Sequence, residues 1–449
     1  MSKRVVRRSL AVGLPLALLG TVCAAGTATG AQDRHERPER TVRVTGSAVL
    51  GDVPLAGFSN GLLPGTVADD RGVMLGGIGS DIFPAGRKGE FWTVTDRGPN
   101  GQIKIDGKKR RTFPVPGFDP AIVKVRVSGK HIQVLRAIPL TTRSGAAVTG
   151  LSNQPGRDEA PYTYDAKSPL AYDPNGLDTE GIVRAADGTF WLVDEYGPSL
   201  VHVSARGRVL TRYVPQGLGL TGADYPVVEA LPGVLLHRKS NRGFEGLALL
   251  PGGDLVLAVQ SPLSVPDQDA GESSRNVRLL RFSTKKRAVT AEYAYRSDAV
   301  DVVDPSEDDT SELKISSVVA VGRDSILVEE RTDKAARLHR VTLPRGSGIL
   351  GSTWDDPATS PSYEELTDPS ASGVPVLRKS LVVDLGKVAG VPGKIEGVAV
   401  TGRDTLALIN DNDFGMTDGA EAFDADGRLV DSGIETSVTL LKLPRPLNG

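Results

Sequence analysis

The sequence predicts an all-β protein, a β-propeller of about six four-stranded blades, with seven as the alternative count. Three observations predict this fold class. A short pattern recurs in three copies, the chain of 449 residues contains 52 Gly and 30 Pro, and long apolar stripes with a helical period are absent. Frequent turn residues between short apolar runs are typical of β-structure, and the recurrence of one pattern is typical of a repeat architecture.

Each copy of the pattern contains a Glu-Gly pair, an apolar run, a turn, a second apolar run and closing polar residues. The leading residues are Glu180, Glu245 and Glu396, and the first closing polar residue follows 14, 15 and 14 positions later. This spacing is typical of a β-hairpin whose two polar ends meet on the same side. We therefore expect the polar ends of the three hairpins to lie together.

Two weaker copies extend the series. Residues 76–98 lack the Glu-Gly pair, and residues 314–331 have serine in place of the leading Glu. Five units are thus visible, and the N-terminal strands together with the C-terminal strand could complete a sixth. Trp92 and Trp191 hold equivalent hairpin positions, which indicates core residues between blades. The alternatives are a β-sandwich or a solenoid, but a sandwich does not require the same polar residues in every unit.

The N-terminus has the features of an export signal over residues 1–31. A basic start with four Lys and Arg residues is followed by an apolar stretch over residues 10–22 and by small residues up to Ala31. The pair Arg7-Arg8 permits a twin-arginine signal, and an ordinary secretion signal fits at least as well. We expect cleavage near Ala31.

The remaining chain is predicted to contain a disordered lead-in over residues 32–45 and a single β-propeller domain over residues 46–445. Removing the signal takes away four basic residues and no acidic one, so the formal charge changes from −2 to −6. A mildly acidic exported protein has no global attraction to nucleic acid. The only cysteine, Cys23, lies in the signal, which excludes disulfides and thiol catalysis in the exported chain. No later segment resembles a transmembrane helix, so we expect a secreted monomer without stable membrane insertion.

Blade geometry predicts that both ends of each hairpin meet at one face of the central channel. The leading Glu of each copy then lies beside carboxylates or amides, and clustered carboxylates need a cation to offset their repulsion. Oxygen ligands favour Ca²⁺, whereas the Cys and His ligands that zinc prefers are scarce in this chain. The predicted metal ligands are Asp96, Asp194, Glu195, Asn410, Asp411 and Asp413.

Basic residues next to the hairpins predict that the same face binds phosphate or another oxyanion. The predicted substrate-binding residues are Arg97, Arg238, Lys239, Arg242 and Arg331. In the alternative interpretation the acidic positions are structural, since a Glu at the start of an inner strand can bond backbone N–H groups of the next blade. The recurrence of polar residues at both ends of the hairpins favours a site.

Several segments resemble the phytase-like family of exported bacterial proteins, which is also described as having esterase-like activity of phytase. The resemblance extends from about residue 57 to residue 443. The segments that carry it are Asp96-Arg97-Gly98-Pro99-Asn100, Gly176-Leu177-Asp178-Thr179-Glu180-Gly181-Ile182, Asp194-Glu195-Tyr196-Gly197-Pro198, Asn241-Arg242-Gly243-Phe244-Glu245-Gly246-Leu247 and Ile395-Glu396-Gly397-Val398. This resemblance implies a propeller fold and a hydrolase that acts on small-molecule esters or phosphoesters.

If the protein is a hydrolase, we expect a metal-assisted reaction. Ca²⁺ on the carboxylates would neutralise a bound phosphate or polarise an ester carbonyl, and Glu180, Glu245 or Glu396 would activate a water. Arg97, Arg242 or Arg331 would stabilise charge in the transition state. Two alternatives stay open: a non-catalytic propeller that binds an extracellular ligand, and a sugar-lactone hydrolase with a metal site in its central channel.

Overall fold

The computed structural model of the protein describes residues 41–63 and 67–447. From Thr41 onward the chain forms one compact unit. The predicted signal over residues 1–31 lies outside the described residues. The predicted lead-in over residues 32–45 extends too far, because the first strand already begins at Arg43 and pairs with two other strands there.

Most of the regular secondary structure of the described residues is β-strand. In chain order the strands are β1 Arg43–Leu50, β2 Asp81–Pro84, β3 Glu90–Val94, β4 Gly101–Ile105, β5 Lys108–Thr112, β6 Ala121–Ser128, β7 His131–Pro139, β8 Pro161–Tyr162, β9 Thr179–Arg184, β10 Phe190–Asp194, β11 Ser199–Val203, β12 Val209–Pro215, β13 Val227–Leu231, β14 Phe244–Leu249, β15 Leu255–Val259, β16 Asn276–Ser283, β17 Ala288–Arg296, β18 Lys314–Gly322, β19 Ser325–Arg331, β20 Ala336–Thr342, β21 Lys379–Asp384, β22 Ile395–Gly402, β23 Thr405–Asn410 and β24 Ser437–Lys442.

Helices are few and short. The α-helices are α1 Leu55–Leu62, α2 Gln268–Ser273 and α3 Val300–Val303, and the 3₁₀ helices are Gly233–His237, Thr310–Glu312, Thr353–Asp355, Leu385–Lys387, Asp413–Gly415 and Ala420–Ala422. Among the described residues, no helix combines the length and the apolar character that crossing a bilayer requires.

Twenty of the 24 strands form five groups of four, which we call blades 1 to 5, and β4, β5 and β8 form a separate small sheet. Blade 1 contains β2, β3, β6 and β7; blade 2 contains β9 to β12, with β13 added outside; blade 3 contains β14 to β17; blade 4 contains β18 to β21. Blade 5 contains β22, β23 and β24, and β1 completes it by pairing with β24 while also pairing with β7 of blade 1. The first and last strands of the propeller therefore join in one blade.

The innermost strands close a ring. Neighbours in the order β2, β9, β14, β18 and β22 contact each other, and β22 contacts β2 again. The β-propeller prediction thus describes the architecture of the described residues, with its three signature hairpins at β9–β10, β14–β15 and β22–β23. The predicted number of six blades is not confirmed, because these strands fall into five groups.

Apolar side chains fill the space between blades. The second strands β3, β10 and β15 are buried along their whole length, since blades pack against both of their faces. Trp92 of blade 1 contacts Phe190 of blade 2 edge-on at 5.1 Å between ring centroids, and Trp191 contacts Phe282 of blade 3 at 6.0 Å. Both tryptophans are core residues between blades, as their equivalent positions indicate. Each such burial contributes about 1.5–3 kcal/mol.

The glycine after each leading Glu lies where adjacent inner strands approach most closely. A Cβ at Gly181 would lie 2.9 Å from the carbonyl oxygen of Glu245, and a Cβ at Gly397 would lie 2.8 Å from Cα of Asp81. Backbone atoms cannot yield at such distances. At Gly181 and Gly397 the Glu-Gly pair therefore combines a polar side chain with a position that only glycine fits, and at Gly246 the nearest atom to an added Cβ is the backbone nitrogen of Val318 at 3.0 Å.

Blades 1 and 4 use a different residue at the position of this glycine. Asp81 of blade 1 accepts a hydrogen bond from the backbone N–H of Ile182 in blade 2 at 2.9 Å. Ser317 of blade 4 accepts one from the N–H of Val398 in blade 5 at 3.2 Å. In the alternative interpretation the leading Glu bonds backbone N–H groups of the next blade. In the two blades that lack the Glu-Gly pair, the residue after the leading position makes this bond instead.

Candidate functional site

The three leading glutamates occupy β-bulges at the start of their inner strands. In β14, Phe244 pairs with Val259 and Gly246 pairs with Ala258, which leaves Glu245 as the extra residue. Glu396 is the extra residue in β22, and Glu180 belongs to a three-against-two bulge in β9. Bulges redirect a side chain away from the regular alternation of a strand. All three side chains consequently line the same cavity.

The cavity has a volume of about 640 Å³, and two equivalent positions of each blade lie around it. At the start of the inner strands these residues are Ser80, Glu180, Glu245, Ser316 and Glu396. After the second strands they are Asp96, Glu195, Gln260, Arg331 and Asp411. All but Ser316 line the cavity directly, and Ser316 hydrogen-bonds with Glu245 and Arg331 behind it.

Glu180, Glu245 and Glu396 form what we call the carboxylate centre. One carboxylate oxygen of each lies within 4.8 Å of the corresponding oxygens of the other two. Burial, together with the nearby carboxylates of Glu245 and Asp178, raises the pKa of Glu180 well above its usual range. Burial and the carboxylate of Glu396 raise the pKa of Glu245 to about 8. Such a group needs bound protons or a cation to offset the repulsion.

Arg331 compensates this charge only in part. Its guanidinium pairs with Glu396, its Nη2 lies 3.9 Å from Oε1 of Glu245, and its Nε donates to Oγ of Ser316 at 2.7 Å. Glu245 also accepts a hydrogen bond from Nε2 of Gln260 at 2.7 Å. The carboxylate of Glu180, by contrast, makes no hydrogen bond or ion pair with any other described residue. The negative charge of the centre is therefore least compensated at Glu180.

A second acidic group shares Glu180 and already contains a cation. Carboxylate oxygens of Asp178, Glu180 and Glu195 lie within 4.8 Å of one another. The buried guanidinium of Arg97 pairs with Asp178, lies 3.2 Å from Glu195 and contacts Asn241. Arg97 lines the cavity, but its donors are committed to these acceptors, so its predicted role in substrate binding gains no support from the geometry.

Lys394 holds the acidic residues of blade 5. Its Nζ donates to Oδ2 of Asp411 at 2.8 Å and also contacts Asp413, and it lies 3.8 Å from Glu396. Burial raises the pKa of Asp411 to about 7 despite this lysine. Lys394 was not among the predicted site residues, although it lies two positions before the third leading Glu.

Two acceptors at the cavity have no partner. Oε1 of Gln260 and Oδ1 of Asp411 are buried without a hydrogen bond to any described residue, on side chains that line the cavity. Gln260 and Asp411 are 7% and 3% exposed. Because Nε2 of Gln260 donates to Glu245, its oxygen is the atom that remains free. Free carboxylate and amide oxygens are the ligands that Ca²⁺ prefers.

A third acidic group lies away from the cavity and is structural. Asp298, Glu330 and His339 approach within 4.8 Å of one another. Nζ of Lys379 lies 2.8 Å from Asp298 and contacts Glu330, so this group already contains a cation. In the carboxylate centre, by contrast, Arg331 reaches Glu396 and Glu245 but forms no ion pair with Glu180.

Two predicted metal ligands point into the blades instead of the cavity. Asp194 pairs with the fully buried Arg212 at 2.6 Å. Asn410 accepts from the backbone N–H of Ser437 at 2.8 Å and donates to the carbonyl of Glu435 at 3.0 Å. Both are the last paired residues of their strands, and the alternation of side chains sends the next residue to the cavity. Their prediction as ligands is therefore corrected.

The remaining predicted residues divide between the cavity and its surroundings. Asp96, Glu195, Asp411, Asp413, Arg242 and Arg331 line the cavity. Arg238 and Lys239 are not among the lining residues, and Arg238 instead pairs with Asp158 at 2.6 Å. The structure therefore does not bring Arg238 and Lys239 to the cavity with the other predicted substrate-binding residues.

Strained backbone accompanies the cavity wall. Asn241, Lys394 and Asp413 have φ angles of 54°, 48° and 51°, in the left-handed region that non-glycine residues rarely occupy. Each such residue costs about 1 kcal/mol or more. All three line the cavity, where their side chains contact Arg97, Glu396 or each other. Strain of this kind is typical of functional sites.

Comparisons with known proteins give one relative and weak structural likenesses. A protein of Arthroderma benhamiae described as an uncharacterized secreted protein is 26% identical over 354 residues, which cover 67% of this chain and 68% of the relative. A luciferin-regenerating enzyme matches with 10% identity and a TM-score of 0.34 over 82% of this chain and 92% of that one. An aldose sugar dehydrogenase from Streptomyces coelicolor matches with 12% identity and a TM-score of 0.30 over 78% and 98%. Structural likenesses this weak carry no conclusion about function.

The family comparison is specific and covers most of the chain. Residues 74–414 match the family described as phytase-like, with esterase-like activity of phytase. The matched range contains the carboxylate centre and all of the cavity residues except the last few positions after Phe414. Membership supports a hydrolase in general terms. The chain belongs to the phytase-like family.

Proposed function

We propose that the protein is a secreted, metal-assisted hydrolase of esters or phosphoesters that acts in the carboxylate-lined cavity. One observation carries the proposal: Glu180, Glu245 and Glu396 meet within 4.8 Å in a cavity where Oε1 of Gln260 is buried without a partner. Buried acceptors without partners are costly unless a ligand satisfies them. A bound cation satisfies all four residues at once.

The donor set fits Ca²⁺. Glu180, Glu245 and Glu396 would hold the ion with their carboxylates, and Gln260 would add its amide oxygen. When bound, the ion would supply Lewis-acid chemistry by polarising an ester carbonyl or neutralising a phosphate. This assignment reverses the roles in the sequence hypothesis, in which these glutamates activate water, because carboxylates this close together act better as one cation site than as separate bases.

Asp96 is our candidate for proton transfer. It lines the cavity, it forms no ion pair with a described residue, and one of its oxygens accepts from the backbone N–H of Gly98 at 2.8 Å. Burial and the nearby carboxylates of Asp411 and Asp178 raise the pKa of Asp96 well above its usual range. A carboxyl group with a raised pKa holds its proton to higher pH, which suits it to protonate a leaving group.

Arg242 and Lys314 are our candidates for holding an anionic substrate. Nη1 of Arg242 donates to Ser261 at 3.1 Å, whereas its Nη2 lies 3.9 Å from Glu312, too far for a hydrogen bond. Burial, followed by the charges of Arg331 and Arg242, lowers the pKa of Lys314. Nζ of Lys314 lies 3.3 Å from Asp333, which also pairs with Arg331, and 3.8 Å from Glu312, which Arg242 approaches as well. Three cations thus share two carboxylates on this wall, which favours an oxyanion ligand.

Secretion is part of the proposal. It is supported by the export features of residues 1–31 and by the description of the Arthroderma benhamiae relative as secreted. Expression of the full chain with its signal should release a product that starts near Gln32. N-terminal sequencing of that product tests the assignment.

Hydrolysis is tested by assays of the purified protein with a generic phosphomonoester, a carboxyl ester and a lactone, each with calcium and with EDTA. We expect calcium-dependent turnover of one of the first two substrates and its loss in Glu180→Gln. Asp308→Asn removes an exposed carboxylate outside the cavity and serves as the control. Turnover of the lactone alone identifies the sugar-lactone alternative. Tight calcium binding without any turnover supports the ligand-binding alternative.

A further inference from the structure

A groove between blades 2 and 3 lies at the end of the propeller that faces away from the carboxylate centre. It follows the ends of the inner strands whose beginnings carry Glu180 and Glu245, so the length of these strands separates it from the cavity. Its volume is about 660 Å³, which is in the range of small-molecule sites. We call it the opposite groove, and its lining includes Ala185, Trp191, His202, Leu249, Pro251 and Ala320.

The wall of the opposite groove is mainly apolar. Ala185 of blade 2, Leu249 of blade 3 and Ala320 of blade 4 contribute partly exposed side chains to it. Trp191 also lines the groove, and its ring stacks on that of His202 with 4.1 Å between centroids and 9° between planes. The wall therefore offers contact area for an apolar group.

Two cations without partners lie at the rim of the opposite groove. Lys285 and Arg287, in the turn between β16 and β17, are exposed and line the groove. Their side chains form no hydrogen bond or ion pair with any residue that the structure describes. Of the described residues that line the groove, only Asp187 carries a carboxylate, and that group accepts from N–H and Oγ1 of Thr189 at 2.9 and 2.7 Å. The rim thus has a net positive charge.

The backbone at Arg287 is strained. Its φ angle is 54°, in the left-handed region, whereas glycine holds the positive φ in the equivalent turns of blades 1 and 2, at Gly129 and Gly207. Glycine would adopt this conformation without steric cost. Burial, the main cause, and the charge of Arg287 both lower the pKa of His202, while Asp187 opposes them. The guanidinium therefore lies close enough to act on the groove wall, and the chain keeps a cation there at a strained position.

We propose that the opposite groove binds an amphipathic anion, a dissolved molecule with one carboxylate or sulfonate head and an apolar body, such as a medium-chain fatty acid. The head would lie between Lys285 and Arg287, and the body would lie along Ala185, Leu249 and Ala320. Such a ligand covers the apolar wall and supplies the missing counter-charge at the same time. The site is separate from the cavity and does not depend on hydrolysis there.

A dissolved molecule fits the opposite groove better than a lipid surface does. Binding to a membrane surface requires protruding apolar side chains that enter the lipid. The large apolar side chains that are exposed among the described residues do not line the groove, namely Leu62, Val228, Val302, Leu381, Val430 and Ile434. The apolar groups of the groove are recessed, since Leu249 is half-buried and Trp191 is only 5% exposed.

The first test measures the contribution of the rim charges. Decanoate is titrated by calorimetry, in EDTA, into wild type, Lys285→Gln/Arg287→Gln and Lys286→Gln. Lys286 is the matched control, because it is exposed in the same turn but does not line the groove. We expect about tenfold weaker binding in the double variant and a change of less than about twofold in the control. Equal affinity of wild type and double variant, or no saturable binding to wild type, would overturn the proposal.

The apolar body is tested by changing the ligand. Dodecanoate should bind wild type about tenfold more tightly than decanoate, because two more methylene groups leave water. 1-Decanol has the same chain as decanoate without the charge, so its affinity should not differ between wild type and the double variant. If chain length has no effect, the site is a plain anion site and the proposal is wrong.

The second test locates the bound chain. A decanoate brominated at its terminal carbon quenches tryptophan fluorescence on contact, and the chain has three tryptophans, Trp92, Trp191 and Trp354. Of these, Trp191 lines the opposite groove. Saturable quenching should occur in wild type and in Trp354→Phe and should be lost in Trp191→Phe, which should still bind decanoate by calorimetry. Quenching that survives in Trp191→Phe places the ligand elsewhere and contradicts the proposal.

The third test separates the opposite groove from the cavity and from a lipid surface. Decanoate affinity should be the same in Glu180→Gln as in wild type, since the two sites lie at different ends of the inner strands. Loss of decanoate binding in Glu180→Gln would place the anion at the carboxylate centre. Binding to vesicles of phosphatidylglycerol without binding of free decanoate would identify a lipid surface as the ligand. Either result would overturn the proposal.

Discussion

Arg331 of blade 4 forms a buried ion pair with Glu396 of blade 5, at the point where the acidic ring of the cavity is interrupted. The position of Arg331 is occupied by an acid or an amide in the other four blades, namely Asp96, Glu195, Gln260 and Asp411. The presence of Arg331 instead of an acid or an amide at this position provides the carboxylate centre with an internal cation. It also leaves the centre incompletely neutralised, since three carboxylates face one guanidinium.

We expect Arg331→Gln to destabilise the metal-free protein by about 3–5 kcal/mol, because it leaves buried carboxylates without their counter-charge. Calcium should recover more stability in this variant than in wild type, since the ion no longer competes with a fixed cation. Urea unfolding in EDTA and in calcium measures both effects. Arg281→Gln removes partly exposed pairs with Asp254 and Asp324 and should cost about 1 kcal/mol or less. If calcium stabilises neither wild type nor Arg331→Gln, the carboxylate centre binds no calcium.

Loss of charge at Asp194 and at Glu180 should have opposite effects on protein stability and on calcium affinity. Asp194→Asn breaks the buried pair with Arg212 and should cost about 3–5 kcal/mol while leaving the calcium affinity of the folded protein within about twofold. Glu180→Gln removes an uncompensated carboxylate, so it should preserve or raise stability and weaken calcium binding by tenfold or more. Chemical denaturation and calorimetric titration separate the two quantities. Loss of calcium affinity in Asp194→Asn alone would restore its role as a ligand.

The hairpins and their polar ends could be predicted from the sequence because they depend on local pattern. Alternation, turn residues and the recurrent Glu-Gly pair indicate β9–β10, β14–β15 and β22–β23, and these pairs are present. The bulges could not be predicted in the same way. A bulge depends on which residue the neighbouring strand leaves unpaired, and this register is set by packing between strands.

The dependence on strand register also explains why some site residues were not predicted and others were assigned to the wrong place. Asp194 and Glu195 are adjacent in the sequence, yet only the second reaches the cavity, because the final strand pair fixes the direction of the first. Lys394 precedes β22 and was not among the predicted residues, whereas Gln260 follows β15 and was expected beside Glu245 without a role as a ligand. The blade count likewise depends on which strand closes the ring, and β1 does so by pairing with β24.

Gly397→Ala should destabilise the protein. The added Cβ would lie 2.8 Å from both Cα of Asp81 and the backbone nitrogen of Ile82, and these atoms belong to the neighbouring inner strand. Overpacking of this kind typically costs about 1–3 kcal/mol. Gly252→Ala is the matched control, since nothing lies within 4 Å of its added Cβ. Equal urea midpoints for the two variants would show that the inner strands separate more easily than the close packing indicates.

Glu329 is a buried acid at a position that is apolar in the other blades, where Val94, Val193, Ala258 and Ile409 stand. Glu329 is fully buried, and neither of its oxygens has a side-chain hydrogen-bond partner among the described residues. Burial raises its pKa well above the usual range. In the folded protein Glu329 therefore keeps its proton at pH values where the unfolded chain releases it.

It follows that Glu329 makes the folded state less stable as the pH rises above about 4.3, the ordinary pKa of glutamate, because the unfolded state then binds fewer protons. Glu329→Leu should remove this contribution and raise the free energy of unfolding at pH 8 by about 1 kcal/mol or more, since it replaces an unpartnered polar group with an apolar one. Glu329→Gln should remove the pH dependence while keeping a polar side chain. Urea unfolding of the three proteins at pH 5 and pH 8 measures both effects. A stability loss in Glu329→Leu at both pH values would instead indicate that Glu329 has a partner that neutral residues cannot replace.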